Sequence, residues 1–256
     1  MMSAPTLRRH ACKLVLAMFA TLAVPAWAAD ITVVSAAAVI APVTELAAEF
    51  ERSSGHHVKL DFTTAGGVDG KVKSDARFDI VINARERLDA LAAAKLVATG
   101  AARDLGVVKI GVAVRKGGQK PDLSSVDAFR ASLLKAQSIS YGDPAKGPTT
   151  GIHFAKVIER LGIVDAMQAK SQLVANGLEV MKLVSSGKAE LGITQISEIM
   201  HVQGDTLVGP LPEQLQLNTT YSVTLGSDAA SAAVRQFADL LVSAAGRERF
   251  QHAGFQ

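Results

Sequence analysis

The sequence predicts an α/β fold of two lobes with a ligand cleft between them. Short apolar runs typical of strands alternate with amphipathic segments typical of helices along most of the chain. The alternation occurs in two series, which glycines and a proline separate near residues 116–121. A C-terminal strand and helix follow the second series. If they return to the first lobe, the chain crosses between the lobes twice and leaves a hinge and a cleft.

The first series contains three strand-and-helix units. Each unit begins with an apolar or β-branched run and continues, after a short turn, with apolar residues at helical spacing. Such alternation indicates a parallel sheet with helices on its faces. The predicted strands are residues 31–34, 58–62 and 78–83, and the predicted helices begin near Val39, Val68 and Glu86, the last two ending near residues 75 and 95.

The second series follows a long apolar strand at residues 107–114. Ser125 and Asp127 suit the cap and first turn of the next helix. A loop is predicted at residues 142–151, where glycines, prolines and threonines cluster. The predicted helices are residues 125–136, 152–161, 178–185 and 196–200, and the predicted strands are residues 138–141, 172–174 and 191–194.

The C-terminal segment determines how the lobes are divided. Residues 221–225 are predicted to form a strand, and residues 230–250 a long helix with one apolar face. We therefore expect residues 29–112, together with about 222–256, to form lobe 1. Residues 113–221 are expected to form lobe 2.

Residues 1–28 have the pattern of a cleaved secretory signal peptide. Three basic residues precede an apolar run at 14–24, and the triplet Ala-Trp-Ala at 26–28 provides the small residues that cleavage requires. As a helix, this apolar run is too short to cross a hydrocarbon core of about 30 Å, which argues against a membrane anchor. The pattern predicts an exported, periplasmic protein.

The basic character of the whole chain comes from this segment. The chain has 27 Lys and Arg residues against 24 Asp and Glu, but Arg8, Arg9 and Lys13 lie in the signal peptide. The remaining charges balance, so the mature protein lacks the basic excess that nucleic-acid binding requires. Cys12, the only cysteine, lies there too, so the mature protein has no disulfide and no thiolate nucleophile.

Four turns between a strand and a helix start carry the predicted site. They are rich in Ser, Thr, Gly and Ala, which let a ligand approach the backbone N–H groups while hydroxyls add hydrogen bonds. Helix N-termini also present a positive dipole end, which suits a compact anion. The alternative is that these residues only cap helices and turn the chain. The turns are residues 35–39, 63–67, 147–151 and 176–177.

Motifs for catalysis are absent after residue 30. No GxSxG, GxxxxGK[ST] or GxGxxG pattern occurs. His56 and His57 are adjacent and lack the spacing of metal ligands, while His153 could face the cleft or lie on a helix surface. We therefore expect no catalytic residue, metal or cofactor. An exported enzyme with an α/β cleft remains a distant alternative.

Several segments resemble the periplasmic molybdate-binding proteins of ABC importers. The resemblance spans nearly the whole mature chain and implies a type II periplasmic binding protein fold. It also implies a monomer that closes on an oxyanion and delivers it to an ABC permease in the inner membrane. The segments that carry it are residues 31–33 with 36–38, Phe62 with its turn, Gly142-Asp143-Pro144 with Pro148 and Gly151-Ile152, and Leu191-Gly192-Ile193.

The resemblance also implies ligand contacts, and the sequence departs from the family pattern at three of them. Ala38 and Ala65 stand where the family has serines, and Gln195 stands where it has a tyrosine. A hydroxyl bond to a charged ligand contributes about 1.5 to 3 kcal/mol. A small organic acid therefore competes with molybdate as the expected ligand, and a sensor or accessory role competes with transport. The expected binding residues are Ala38, Thr64, Ala65, Thr149, Thr150, Gly177 and Gln195, with Ser35, Thr63 and Lys146 as possible additions.

Overall fold

The computed structural model describes residues 28–74, 77–100, 102–203, 206–226 and 230–256. Except for Ala28, the predicted signal peptide lies outside this part of the chain. The strands are β1 Asp30–Ala36, β2 His57–Thr63, β3 Ile80–Ala84, β4 Arg103–Val114, β5 Ile139–Gly142, β6 Ser171–Val174, β7 Leu191–Gln195, β8 Leu207–Pro210 and β9 Asn218–Leu225. The helices are α1 Ile40–Ser54, α2 Ala65–Lys73, α3 Arg85–Ala93, α4 Val126–Lys135, α5 Thr149–Arg160, α6 Val164–Gln168, α7 Gly177–Ser185, α8 Ile196–Gln203, α9 Ala232–Val242 and α10 Ala244–His252.

The strands are hydrogen-bonded in the order β2-β1-β3-β9-β4-β7-β5-β6, and β8 also pairs with β4. The first lobe is built on β1, β2, β3 and β9, where β1 runs parallel to β2 and β3. The second lobe is built on β5, β6 and β7, where β5 runs parallel to both neighbours. The predicted α/β alternation in two series is therefore present in the structure.

Strand β4 links the two lobes. Its first half pairs with β9, up to Lys109 opposite Asn218, and its second half pairs with β7, from Ile110 opposite Gln195. At this point the Gln216 side chain accepts the Ile110 N–H at 2.9 Å and donates to the Ile110 carbonyl at 3.0 Å, which also accepts the Leu211 N–H at 3.2 Å. The predicted lobe boundaries near residues 112 and 222 stay a prediction.

Each lobe has its own hydrophobic core. The first surrounds α1, α9 and α10, and includes Phe50 and Phe237, whose ring centroids lie 5.2 Å apart. The second includes Tyr141 and Phe154, which meet edge to face at 5.1 Å. Because burial of apolar surface is the main driving force for folding, the two cores define two packed units.

Three predicted boundaries are wrong. The predicted helix 230–250 is two helices, because Ser243 has an extended backbone and caps α10 by accepting the Gly246 N–H at 3.1 Å. The predicted loop 142–151 already contains the first turn of α5. Similarly, α2 begins at Ala65 rather than Val68, since Thr64 caps it by accepting the Gly67 N–H at 3.0 Å.

Strand β8 and helix α6 were not predicted, because each is too short to show a periodic pattern. Among the described residues, no helix combines the length and the apolar character needed to span a membrane.

Candidate ligand-binding site

A cavity lies where the ends of β1 and β7 meet the N-termini of α2, α5 and α7. Its empty volume is about 310 Å³, which includes open solvent space at the mouth. None of its lining residues in the described part of the chain is a Lys, Arg or His. The lining residues are Ala36, Ala37, Ala38, Thr64, Ala65, Pro148, Thr149, Thr150, Asn176, Gly177, Gln195, Glu198 and Tyr221.

Several helix N-termini point toward this cavity. Ala65, Thr149 and Gly177 are the first residues of α2, α5 and α7, and the first N–H groups of a helix have no partner within the helix. Residues 37–39 add a short 3₁₀ turn directly after β1. N–H groups and positive dipole ends thus converge from four segments, which is a general arrangement for binding an anion.

Glu198 is a carboxyl group buried at this site. Its residue is only 6% exposed, and its Oε2 accepts the Thr194 hydroxyl at 2.5 Å and the Gln195 N–H at 3.3 Å. The Gly177 N–H donates to the same carboxyl. Burial raises the pKa of Glu198 above its ordinary value, and these hydrogen bonds oppose the rise without cancelling it.

Gly177 has to be a glycine because α7 comes so close to this carboxyl. A Cβ atom at this position would lie 2.0 Å from Glu198 Oε2 and 2.1 Å from Thr194 Oγ1. Asn176 caps the same helix by accepting the Glu179 N–H at 3.0 Å. The Asn-Gly pair therefore brings the helix N-terminus into direct contact with the carboxyl.

Gln195 and Tyr221 complete the polar floor of the cavity. Both are 2% exposed, and Gln195 Nε2 lies 3.4 Å from the Tyr221 hydroxyl. Burial raises the pKa of Tyr221, and the charge of Glu198 adds to the rise. Thr149 is a side-chain hydrogen-bond partner of the Tyr221 hydroxyl. Among the described residues, the buried Gln195 Oε1 has no hydrogen-bond partner, so it can accept a hydrogen bond from a ligand.

The lobes touch at the edge of the cavity. The Thr64 hydroxyl donates to the Lys146 carbonyl at 3.0 Å, and the Gly66 N–H donates to the Gly147 carbonyl at 3.1 Å. A Cβ atom on Gly66 would lie 3.0 Å from the Gly147 Cα. The two turns can therefore meet this closely only because both residues are glycines.

The structure brings together all seven residues that were expected to bind the ligand: each lines the cavity. The three possible additions do not line it. The Ser35 hydroxyl donates to the Ala36 carbonyl at 3.1 Å, the Thr63 side chain lies beside Gly67, and Lys146 is exposed.

Six lining residues were not among the expected binding residues. Ala36, Ala37, Pro148 and Asn176 lie in the predicted turns, whereas Glu198 and Tyr221 lie outside them and were missed. Glu198 had a usable signal: it occupies the third position of a helix that starts directly after a strand, where a glutamate often reaches back to the N-cap N–H. Tyr221 had none, because β9 is brought to the site by pairing with β3 and β4.

The histidines lie elsewhere. His153 Nε2 is 2.8 Å from the Leu215 carbonyl, and His56 Nδ1 accepts the Ala29 N–H at 3.0 Å. In the described ranges, no group of three or more His, Asp or Glu side chains is placed to hold a metal ion.

Comparison with known proteins identifies the family. Residues 31–256 match the family model described as bacterial extracellular solute-binding protein. The chain is 33% identical over 200 residues to an aconitate isomerase from a Pseudomonas species, covering 75% of this chain and 74% of that protein. It is 28% identical over 179 residues to the molybdate-binding protein ModA of Azotobacter vinelandii, covering 70% and 69%.

Solved structures support the same fold. The periplasmic molybdate-binding protein of Azotobacter vinelandii superimposes with a TM-score of 0.71 at 18% identity, covering 88% of this chain and 98% of that one. These comparisons confirm the predicted family resemblance and the type II periplasmic binding protein fold. The chain therefore belongs to the bacterial extracellular solute-binding proteins.

Proposed function

We propose that the mature chain is a periplasmic receptor that captures a small di- or tricarboxylate and delivers it to an ABC permease in the inner membrane. The observation that carries this proposal is the buried Glu198 carboxyl beside Gln195 and Tyr221, in a cavity otherwise equipped for an anion. The family supports the receptor role. The side chains support the choice of ligand.

A carboxylic acid suits this floor better than a tetrahedral oxyanion. Molybdate and sulfate carry no proton at neutral pH, so they can only accept hydrogen bonds, and they fit this floor only when Glu198 itself is protonated. A carboxylic acid can share a proton with Glu198, and its remaining carboxylate can accept N–H groups from the helix N-termini. Moreover, Ala38 and Ala65 provide no hydroxyl donors for an oxyanion.

Calorimetry on residues 29–256 tests the choice of ligand. The panel comprises molybdate, tungstate, sulfate, succinate, malate, citrate and both aconitate isomers. We expect at least one carboxylate to bind tenfold or more tightly than molybdate. Binding of molybdate below about 1 μM, with no carboxylate bound, would contradict the proposal.

A pair of threonine variants tests whether the ligand binds in this cavity. Thr150 lines the cavity whereas Thr63 does not, and Thr→Val removes a hydroxyl with little change of shape. We expect Thr150→Val to weaken the bound carboxylate about tenfold, since a hydroxyl bond to a charged group contributes about 1.5 to 3 kcal/mol. Thr63→Val should leave the affinity within twofold. Equal effects in both variants would place the ligand elsewhere.

A second candidate function is isomerisation of an unsaturated carboxylic acid. It is favoured by the 33% identity to an aconitate isomerase together with a cavity carboxyl whose pKa is raised by burial, a feature of carboxyls that transfer protons in enzymes. Glu198 would remove a proton from the CH₂ carbon next to the double bond and return it to the far alkene carbon. The double bond would move by one position, and no other reactant would be consumed.

Proton NMR of cis-aconitate incubated with the mature chain tests this second function. Conversion to the trans isomer should be lost in Glu198→Gln and retained in Glu179→Gln. Glu179 is half-buried, accepts the Ala175 N–H and does not line the cavity. If the wild-type chain gives no conversion above the uncatalysed rate, the isomerase function is wrong and the receptor function stands.

A further inference from the structure

We propose that binding of an anion in this cavity takes up one proton from solvent, and that Glu198 holds this proton against the ligand. The inference rests on the proposed receptor function and deepens it, because it states the protonation state in which the site binds its ligand. It follows from three features of the structure: the charges in the cavity, the surroundings of the carboxyl and the hydrogen bonds to its two oxygens.

The first feature is the absence of a positive side chain. Among the described residues that line the cavity, Glu198 and Tyr221 are the only ones that ionise. An anionic ligand and an ionised Glu198 would then share one buried space with no cation to separate them. Two carboxylates in such a site do not both stay ionised, because the second charge raises the pKa of the first.

The second feature is the surroundings of α8. β7 and α7 present hydroxyl and N–H donors to the carboxyl, and β9 presents Tyr221. β4 and β8 meet α8 through apolar side chains. The charge of the Arg87 guanidinium opposes the rise in the pKa of Tyr221. This guanidinium is already paired with the Asp69 carboxylate at 2.5 Å. α8 also shares an outer groove with α1 and α10. The charged or titratable residues of this groove are His201, Glu45, Arg249 and His252.

The third feature is the unequal use of the two carboxyl oxygens. The bonds from Thr194 and Gln195 both end on Oε2, which therefore acts as an acceptor. A proton on Oε1 leaves these bonds intact and turns the carboxyl into a hydrogen-bond donor for the ligand. Burial already favours this protonated form before a ligand arrives.

Helix capping is the alternative role for this residue. Glu198 Oε2 accepts the N–H of Gln195, the residue just before α8, as a capping glutamate does. Glu179 occupies the equivalent place on α7 and accepts the Ala175 N–H at 2.9 Å. Glu179 does not line the cavity, so it is a matched control that caps a helix without facing the ligand.

The test is calorimetry with succinate, citrate and molybdate between pH 7 and 9, in pairs of buffers that differ in ionisation enthalpy. Above about pH 7.5 the free ligands are almost fully deprotonated, so a proton taken up there goes to the protein–ligand complex. For the tightest ligand we expect an uptake approaching one proton. We also expect the affinity to fall as pH rises, by up to tenfold per pH unit.

The variants then assign the proton to its group. Glu198→Gln keeps the acceptor oxygen and adds an N–H donor, so it should bind about as tightly as the protonated wild type, with no proton uptake and no pH dependence. Glu179→Gln should behave as the wild type. If a ligand binds without proton uptake, or if Glu198→Gln keeps the pH dependence, the inference is wrong while the receptor function stands. If none of the three anions and no other member of the carboxylate panel binds, the receptor function fails and the inference falls with it.

Discussion

The two lobes contribute different chemistry to the same cavity. The first lobe presents four alanines, Ala36–Ala38 and Ala65, with Thr64 and the single ring of Tyr221. The second presents an amide, a carboxyl and hydroxyls on Gln195, Glu198, Thr149 and Thr150. The first side therefore offers mainly backbone N–H groups, which any compact anion can use, whereas side chains that distinguish one anion from another lie mainly on the second side.

The largest expected effect comes from disrupting the second side. Gly177→Ala places a methyl group 2.0 Å from Glu198 Oε2, so either α7 or the carboxyl must move. We expect at least a hundredfold loss of affinity and a loss of about 2 to 4 kcal/mol in the free energy of unfolding, measured by calorimetry and urea denaturation.

Gly70→Ala is the matched control for this change. Gly70 lies within α2, and a Cβ atom there meets nothing within 4 Å. Alanine should raise the free energy of unfolding by about 0.5 to 1 kcal/mol and leave binding unchanged. Wild-type binding by Gly177→Ala would show that the close contact with Glu198 does not matter for the ligand.

An intermediate effect is expected from Tyr221→Phe, which removes the one ring hydroxyl that the first lobe contributes. The Gln195 amide then loses its partner at 3.4 Å, and the ligand loses a potential donor. We expect about a tenfold loss of affinity, because one hydrogen bond to a charged group contributes about 1.5 to 3 kcal/mol. Tyr141→Phe, in the second core and outside the cavity, is the control. Unchanged affinity in Tyr221→Phe would mean that the first lobe binds through backbone groups alone.

The smallest effect is expected from adding hydroxyls to the first side. Ala38→Ser combined with Ala65→Ser introduces the serines of the molybdate-binding family pattern. We expect molybdate affinity to rise about three- to tenfold while the affinity for carboxylates stays within twofold, as measured by calorimetry with both ligands. A fall in molybdate affinity would indicate that these positions are too crowded for a hydroxyl, since both residues are 5% exposed or less.

Local patterns made most of the fold and part of the site predictable. The strand, small-residue turn and helix around Thr64, and the turns at Thr150 and Gly177, could be predicted because neighbouring residues form them. The break at Ser243 could not be predicted, because the apolar pattern continues across it. Tyr221 could not be assigned to the site, because antiparallel pairing of β9 brings it there. The role of Glu198 depends on burial, which its position on a helix does not reveal.

The Gln216 side chain bears on how the two halves of the molecule can turn against each other. Where β4 leaves β9, this amide holds both backbone groups of Ile110. A strand in that place would resist rotation of the lobes, because several of its hydrogen bonds to β4 would have to break at once. The Gln216 amide can follow Ile110 by rotation about its side-chain torsions and keep both hydrogen bonds. We therefore expect the Ile110 backbone groups to stay paired if the two lobes rotate about this point of β4.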